Sequence, residues 1–197
     1  MKTRILLSGI AVSILGIFSG VALAADGGGT RVQLFDGKTL AGWTVLKCEA
    51  VVEDGNIFLK AGNGMVQTEK KYSDFVLEYE WKALKTNAWD SGVYFRYESI
   101  PAGKAWPPRF QANCRQGLEG NVGELKGASS KGLFKDGEWN KFKLTVRGNH
   151  VEMEINGKPA WSVDNLDGPR EGFIGLQAEV PNGGQNLFRN IFITELK

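Results

Sequence analysis

Lys141-Phe142-Lys143-Leu144-Thr145-Val146-Arg147-Gly148-Asn149-His150-Val151-Glu152-Met153-Glu154-Ile155-Asn156-Gly157 contains two alternating runs, each closed by a turn dipeptide. Phe142, Leu144 and Val146 share one face of the first run; Val151, Met153 and Ile155 share one face of the second. A period of two is the mark of a strand with one buried face, because successive side chains leave opposite sides of a pleated backbone. Gly148-Asn149 separates the runs. Asn156-Gly157 supplies the two positive φ angles that a type I′ hairpin turn requires. The stretch therefore predicts consecutive antiparallel strands, with His150 on the polar face beside Glu152 and Glu154.

The same grammar extends outward. Phe75, Leu77, Tyr79 and Trp81 alternate with Val76, Glu78, Glu80 and Lys82. Val93, Phe95 and Tyr97 alternate with Tyr94 and Arg96, so Tyr94 and Arg96 are expected to share the face opposite the core. Asp54-Gly55-Asn56 joins Val51-Val52 to Ile57-Phe58-Leu59 as another hairpin. Phe173 to Ala178 and Phe188 to Leu196 supply the last strands. No amphipathic helical period of useful length is present. Many short strands punctuated by Gly, Asn and Asp specify an all-β sandwich or barrel. The segment 101–135 is irregular, with Pro107-Pro108 and recurrent Gly, and is expected to shape one mouth of the sandwich.

Residues 1–24 read as a signal peptide: Lys2 and Arg4, then an uncharged apolar run from Ile5 to Phe18, then Ala22-Leu23-Ala24 as a cleavage signal. The alternative is an uncleaved N-terminal anchor helix. With no Cys beside the cleavage site, a lipid anchor is not indicated. Cleavage after Ala24 predicts a periplasmic or secreted protein. A flexible leader, 25–31, then precedes one domain, 32–197. The chain has 24 Lys and Arg against 22 Asp and Glu, and the leader removes two of the basic residues, so the mature chain is neutral. Neutrality argues against an electrostatic grip on nucleic acid or on an anionic membrane. No later apolar run is long enough to span a bilayer. Two cysteines, Cys48 and Cys114, in an exported chain point first to a disulfide; two buried free thiols are the alternative.

With a single histidine, the chain cannot build a zinc site from several His ligands, and a Ser-His-Asp triad would have to use His150. No phosphate loop, nucleophile elbow or dinucleotide fingerprint occurs. What remains are carboxylates, amides, arginines and aromatic rings, the residue types that bind sugars. Trp89 and Trp106 lie in loop-like segments and are candidate stacking platforms, with core packing as the alternative. Gln177 and Glu179 fall on one face of their strand with Gly175, opposite Leu176 and Ala178.

Leu34-Phe35-Asp36-Gly37-Lys38-Thr39-Leu40-Ala41-Gly42-Trp43 near the start, and Leu176-Gln177-Ala178-Glu179 with Leu187-Phe188-Arg189-Asn190-Ile191 near the end, carry a resemblance. Over Val32 to Leu196 the chain resembles the 3-keto-disaccharide hydrolase domain family, formerly a domain of unknown function. The resemblance implies a concanavalin/lectin-like jelly-roll β-sandwich of two antiparallel sheets, one of them concave and carrying the site. Asp90-Ser91-Gly92-Val93-Tyr94-Phe95-Arg96 is similar to the family's Asn-Ser-Gly-Ile-x-x-Arg, with Asp90 in place of Asn. Arg109-Phe110-Gln111-Ala112-Asn113 falls where the family shows Tyr-Glu-x-Gln, so Gln111 stands for a Glu and Asn113 for a Gln. Gly123-Glu124-Leu125 is similar to a Gly-Asp-hydrophobic stretch of some relatives.

The resemblance implies cleavage of glycosides or disaccharides already oxidised at C3. The ketone acidifies the C2 proton; its removal gives an enolate that expels the C1 group, and water then adds back. Glu124 or Glu179 is the candidate base and Arg96 the candidate partner of the ketone or of a sugar oxygen, a structural ion pair being the alternative for Arg96. Asp90, Tyr94, Gln111, Asn113 and Gln177 are candidate sugar-binding residues. No cofactor is specified; a divalent cation suits carboxylates and amides, but no spacing defines one. The rival class is a non-catalytic lectin-like module of the cell envelope, which the Gln111 departure favours because an amide cannot serve as a base. Either way the expected partner is a carbohydrate.

Overall fold

The computed structural model describes residues 29–197; the expected signal peptide and most of the expected leader lie outside the described residues. In chain order the strands are β1 (Arg31–Gln33), β2 (Trp43–Glu53), β3 (Asn56–Thr68), β4 (Phe75–Ala83), β5 (Gly92–Tyr97) and β6 (Gln111–Asn113). There follow β7 (Asn140–Arg147), β8 (His150–Ile155), β9 (Lys158–Val163), β10 (Phe173–Glu179), a four-residue helix α1 (Val180–Gly183) and β11 (Asn186–Glu195). The hairpins form as their turn residues dictate. Asp54 and Gly55, and Asn156 and Gly157, all have positive φ. At the β7–β8 turn only Gly148 does, which suits a turn needing φ > 0 at its first central residue.

All strand pairs are antiparallel, in the order β6-β5-β10-β3-β11-β4-β7-β8-β9, with β2 on the far edge of β3 and β1 on β11. The expected sandwich of two antiparallel sheets is present as two walls of one curled ladder, joined through the β2–β3 ribbon. Near its start β3 pairs with β11, Ile57 opposite Phe188 and Leu59 opposite Asn186. Near its end it pairs with β10, Asn63 opposite Glu179 and Gln67 opposite Gly175. Between these contacts the ribbon bends. Its register slips between Leu46 and Cys48 and between Glu49 and Ala50, and Lys47 and Gly62 adopt φ of 56° and 84°. Bulges with left-handed residues sharpen the twist of a ribbon and turn it from one layer into the next.

The walls enclose one core. Tyr79 and Phe142 stack at 5.1 Å, and Trp81, Phe188, Phe95 and Leu176 fill in around them, all buried. Trp81 donates Nε1–H to Asn186 Oδ1 at 2.9 Å, and Asn186 in turn donates to the carbonyls of Gly184 and Asp90. The core thus holds the loop that presents Asp90.

One bulge overturns an expectation. Two residues of β5, Phe95 and Arg96, oppose one of β10, Ile174: Tyr97 pairs with Phe173, and Tyr94 with Gly175. Arg96 absorbs the extra residue at φ 51°. Alternation breaks there, so Tyr97 joins Tyr94 on the outer face and Arg96 is turned aside. Its guanidinium is fully buried and donates to Ser73 O at 2.8 Å, Gly148 O at 2.7 Å and Asp74 Oδ1 at 2.5 Å. Arg96 pins the front wall (β6-β5-β10) to the segments that flank β4 and β7. It does not stand with the candidate site residues.

The disulfide does not form either: both cysteines are free. Cys114 follows β6 inside the core, with its N–H on Ser91 O, whereas Cys48 sits half-buried on β2 with its thiol toward Met65 O. Burial raises both thiol pKa values, keeping the sulfurs protonated. Thiol titration of the unfolded, unreduced protein is expected to count two thiols per chain; a count of zero would restore the bridge.

Candidate functional site

The site begins with the alternation of β10. Leu176 and Ala178 enter the core, which turns Gly175, Gln177 and Glu179 outward. Beside them on the same face lie Gly92 and Tyr94 of β5, then Gln111 of β6 opposite Tyr94 and Asn113 opposite Gly92. A line of amides crosses the three strands. Gln111 donates through Nε2 to Gln177 Oε1, and Gln177 Nε2 donates to Glu179 Oε2 at 3.0 Å. Gly92 makes this crossing possible: a Cβ there would lie 2.1 Å from Gln111 Nε2. Ser91 secures the row from behind, its hydroxyl donating to Gln177 O at 2.7 Å.

Glu179 ends the line at the edge of a cleft of about 440 Å³ lined by Ala88, Trp89, Asp90, Arg115, Gln116, Glu179 and Asn182. Arg115 Nε stands 3.6 Å from Asp90 Oδ2. Asn113 helps to place it, since its Oδ1 accepts from Arg115 N at 2.8 Å. Burial raises the Asp90 pKa, and the Arg115 charge offsets part of that rise. Burial also raises the Glu179 pKa and the nearby Asp90 charge adds to it, with Arg115 and an Asn182 hydrogen bond pulling the other way. Burial, then the charges of Glu124, Glu179 and Asp90, push the Tyr94 phenol well above the ordinary tyrosine range, so it remains a proton donor. Two poised carboxyls and one cation at a polar cleft, with a protonated phenol buried beside them, are a set of groups that can move a proton to and from a bound molecule.

Of the residues singled out in the sequence, Asp90, Tyr94, Gln111, Asn113, Gln177 and Glu179 meet here. Glu124 is exposed, and its charge reaches the Tyr94 ring from the rim. Trp89 borders the cleft but is no platform: it is 3% exposed, packs on Phe134 and donates to Glu119 Oε1 at 3.1 Å. Trp106 is half-buried beside Tyr94 and Tyr97. Arg115 and Asn182 are the members that sequence reading misses; Arg115 sits in the β6–β7 connection and Asn182 in the single turn of α1, where no periodicity assigns a face. His150 does meet Asp164 at 2.7 Å and the Ser162 hydroxyl at 3.4 Å, but on the β8–β9 surface of the other wall, with Glu152 also close. A hollow of about 450 Å³ lies past Tyr97; of its two carboxylates, Asp167 is paired with Arg109 and Glu98 is exposed. Among the described residues no three His, Cys, Asp or Glu side chains cluster as a metal site, and no helix is long and apolar enough to cross a membrane.

Solved structures share this architecture. A candidate glycosyl hydrolase from Parabacteroides distasonis ATCC 8503 superposes with a TM-score of 0.68 at 19% identity, covering 85% of this chain and 94% of its own. The carbohydrate binding module CBM66 from Bacillus subtilis gives 0.60 at 15% identity, covering 78% and 96%. The beta-glucanase of Bacillus licheniformis gives 0.53 at 11%, covering 88% and 100%. At these identities the likeness establishes the fold, a lectin-like jelly-roll sandwich, and nothing finer. No curated protein matches the chain. The family model described as 3-keto-alpha-glucoside-1,2-lyase-like domain matches residues 30–194.

Proposed function

The chain belongs to the 3-keto-alpha-glucoside-1,2-lyase-like domain family, and from that premise we propose that it cleaves glycosides oxidised at C3, with Glu179 as the base. The observation that carries this reading is the placement of Glu179. Among the described residues it is the one carboxylate that is oriented by a line of amides and also opens on the cleft, and its pKa is raised. A base works best when its pKa is brought toward the working pH.

A sugar ring lying over Gln177 and Gln111 would present its C2–H to Glu179. The C3 oxygen would face Arg115, the cation of this cleft; Arg96 is committed elsewhere. Glu179 takes the C2 proton, and the C–H electrons form the enolate, whose charge the guanidinium stabilises. The enolate then expels the C1 oxygen. Asp90 in its protonated form, or the Tyr94 phenol, supplies the proton that the leaving oxygen needs. Water adding to the resulting double bond completes net hydrolysis. Gln111, in the place of the family's Glu, binds Gln177 and takes no proton in this scheme. A second reading, a lectin-like module on the same face, draws its support from that departure.

The pH profile tests the assignment. Glu179 must be ionised to act, and its pKa lies above the ordinary value of 4.5. Activity is therefore expected to fall, as pH drops, with a midpoint above 4.5. Asp90→Asn removes a like charge and is expected to move that midpoint down; Arg115→Ala removes an opposite charge and is expected to move it up. A limb unmoved by both changes would assign the base elsewhere. Export belongs to the same proposal, and a mature N-terminus at Ala25 is its check.

A further inference from the structure

Asn63 stands directly across the β3–β10 ladder from Glu179, in the last pair before α1. Opposed residues of an antiparallel pair share a face, with their Cβ atoms about 5 Å apart. The parity of β3 agrees: Val66 enters the core, while Met65, opposite Gln177, leaves by the other face and Asn63 with it. The backbone here is held by its neighbours. Gly62 has φ 84°, and a Cβ on Gly64 would lie 1.9 Å from Leu46 O, so only glycine lets β2 pass this close.

Among the described residues three buried side-chain atoms lack a hydrogen-bond partner: Asn56 Oδ1, Asn63 Oδ1 and Tyr79 Oη. Asn56 belongs to the β2–β3 hairpin, where its amide nitrogen serves two carbonyls, and Tyr79 lies deep in the core. Asn63 alone of the three stands opposite a carboxylate of the cleft. A buried acceptor without a donor costs free energy and calls for a reason. An ionised Glu179 gives it none, because a carboxylate and a carbonyl oxygen both only accept. A protonated Glu179 has an O–H to give, and the two groups then match.

We propose that Asn63 is a positioning residue of the site, its Oδ1 holding the proton that Glu179 takes, an inference that rests on the keto-glycoside reading above. Glu179 Oε2 already accepts from Gln177 Nε2, so the proton falls to Oε1. The C2–H bond breaks and its electron pair stays on the sugar as the enolate. The proton becomes the Oε1–H of Glu179, which donates to Asn63 Oδ1. This contact exists only in the protonated state, so it strengthens the base at the step that needs it. The charges that face Glu179 come from other elements: Asp90 and Arg115 across the cleft, with the Tyr94 phenol on β5. On the β2–β3 side Lys60 is paired with Glu49 and Lys47 donates to Lys104 O, while α1 brings the uncharged Asn182. Removing Asn63 Oδ1 therefore removes one hydrogen bond and no charge.

Carbon-13 NMR titration of the Glu179 carboxyl in the full mature protein, assigned through Glu179→Gln, tests the contact, and turnover of methyl 3-keto-glucoside tests the chemistry. A hydrogen bond to the neutral form raises a carboxyl pKa, so Asn63→Leu is expected to lower the Glu179 midpoint by about one pH unit. The acid limb of kcat/KM should move down with it, kcat should drop about fivefold, and KM should stay within about twofold. Tm is expected to hold or rise, because this oxygen has no partner to lose in the resting protein. Asn63→Ala reads the same midpoint should the first variant not fold. A midpoint unmoved by the change overturns the inference even where the keto-glycoside is cleaved. A raised KM with an unmoved midpoint makes Asn63 a ligand of the sugar and overturns it likewise. A lowered midpoint in a protein that cleaves no keto-glycoside sustains the Asn63 contact and removes the lyase reading.

Discussion

Glu179→Gln is expected to lower turnover of a 3-keto-glycoside by about 10³-fold, within the range that a positioned general base supplies. The substitution leaves the geometry nearly untouched. Gln177 donates to Glu179 Oε2, and a glutamine oxygen at 179 can accept the same bond. The fold is expected to be as stable as before or slightly more so, because the carboxylate removed is partly desolvated and lies beside Asp90. Steady-state kinetics with thermal unfolding of the same preparation separates the two effects. Glu124→Gln, at the exposed rim, is expected to cost less than about tenfold, since it acts only by its field on Tyr94. Equal losses from the two variants would move the base out of β10.

The second large effect is on stability. Arg96→Met is expected to destabilise the protein by about 3 kcal/mol, because it removes a buried cation and leaves the Ser73 and Gly148 carbonyls without their donor. Asp74 is 37% exposed and can rehydrate, which keeps the loss at the lower end for a broken buried pair. For a chain of this size that corresponds to a drop in Tm of about 10 °C. Below the transition, kcat/KM is expected to stay within about threefold of the parent, since Arg96 touches no group of the cleft. Arg96→Met with an unchanged Tm and abolished turnover would return Arg96 to the chemistry and displace Arg115 from the ketone.

The contrast between these two residues shows what the sequence discloses. Glu179 and Gln177 could be assigned to one face because β10 keeps strict alternation from Phe173 to Glu179, and the face of a regular strand follows from parity alone. The β7–β8–β9 meander was legible for the same reason, helped by turn residues that permit positive φ. Arg96 was misplaced by one bulge: a non-glycine residue at φ 51° leaves no trace in composition, yet it shifts every side chain after it by one face. The joining of the walls depends on Lys47, another left-handed residue with nothing in its identity to announce it. Arg115 stands in a connection and Asn182 in the one-turn α1, where position follows from long-range packing. The cysteines illustrate the same limit, since whether two thiols meet depends on where their Cβ atoms lie, which spacing along the chain does not fix.

The most direct measurement is turnover of methyl 3-keto-glucoside against methyl glucoside by the mature protein, with Glu179→Gln alongside. Cleavage of the keto compound alone, lost in the variant, is the predicted result. Cleavage of both compounds, or of the keto compound equally by protein and variant, would contradict proton abstraction by Glu179; binding without cleavage would make this face a lectin.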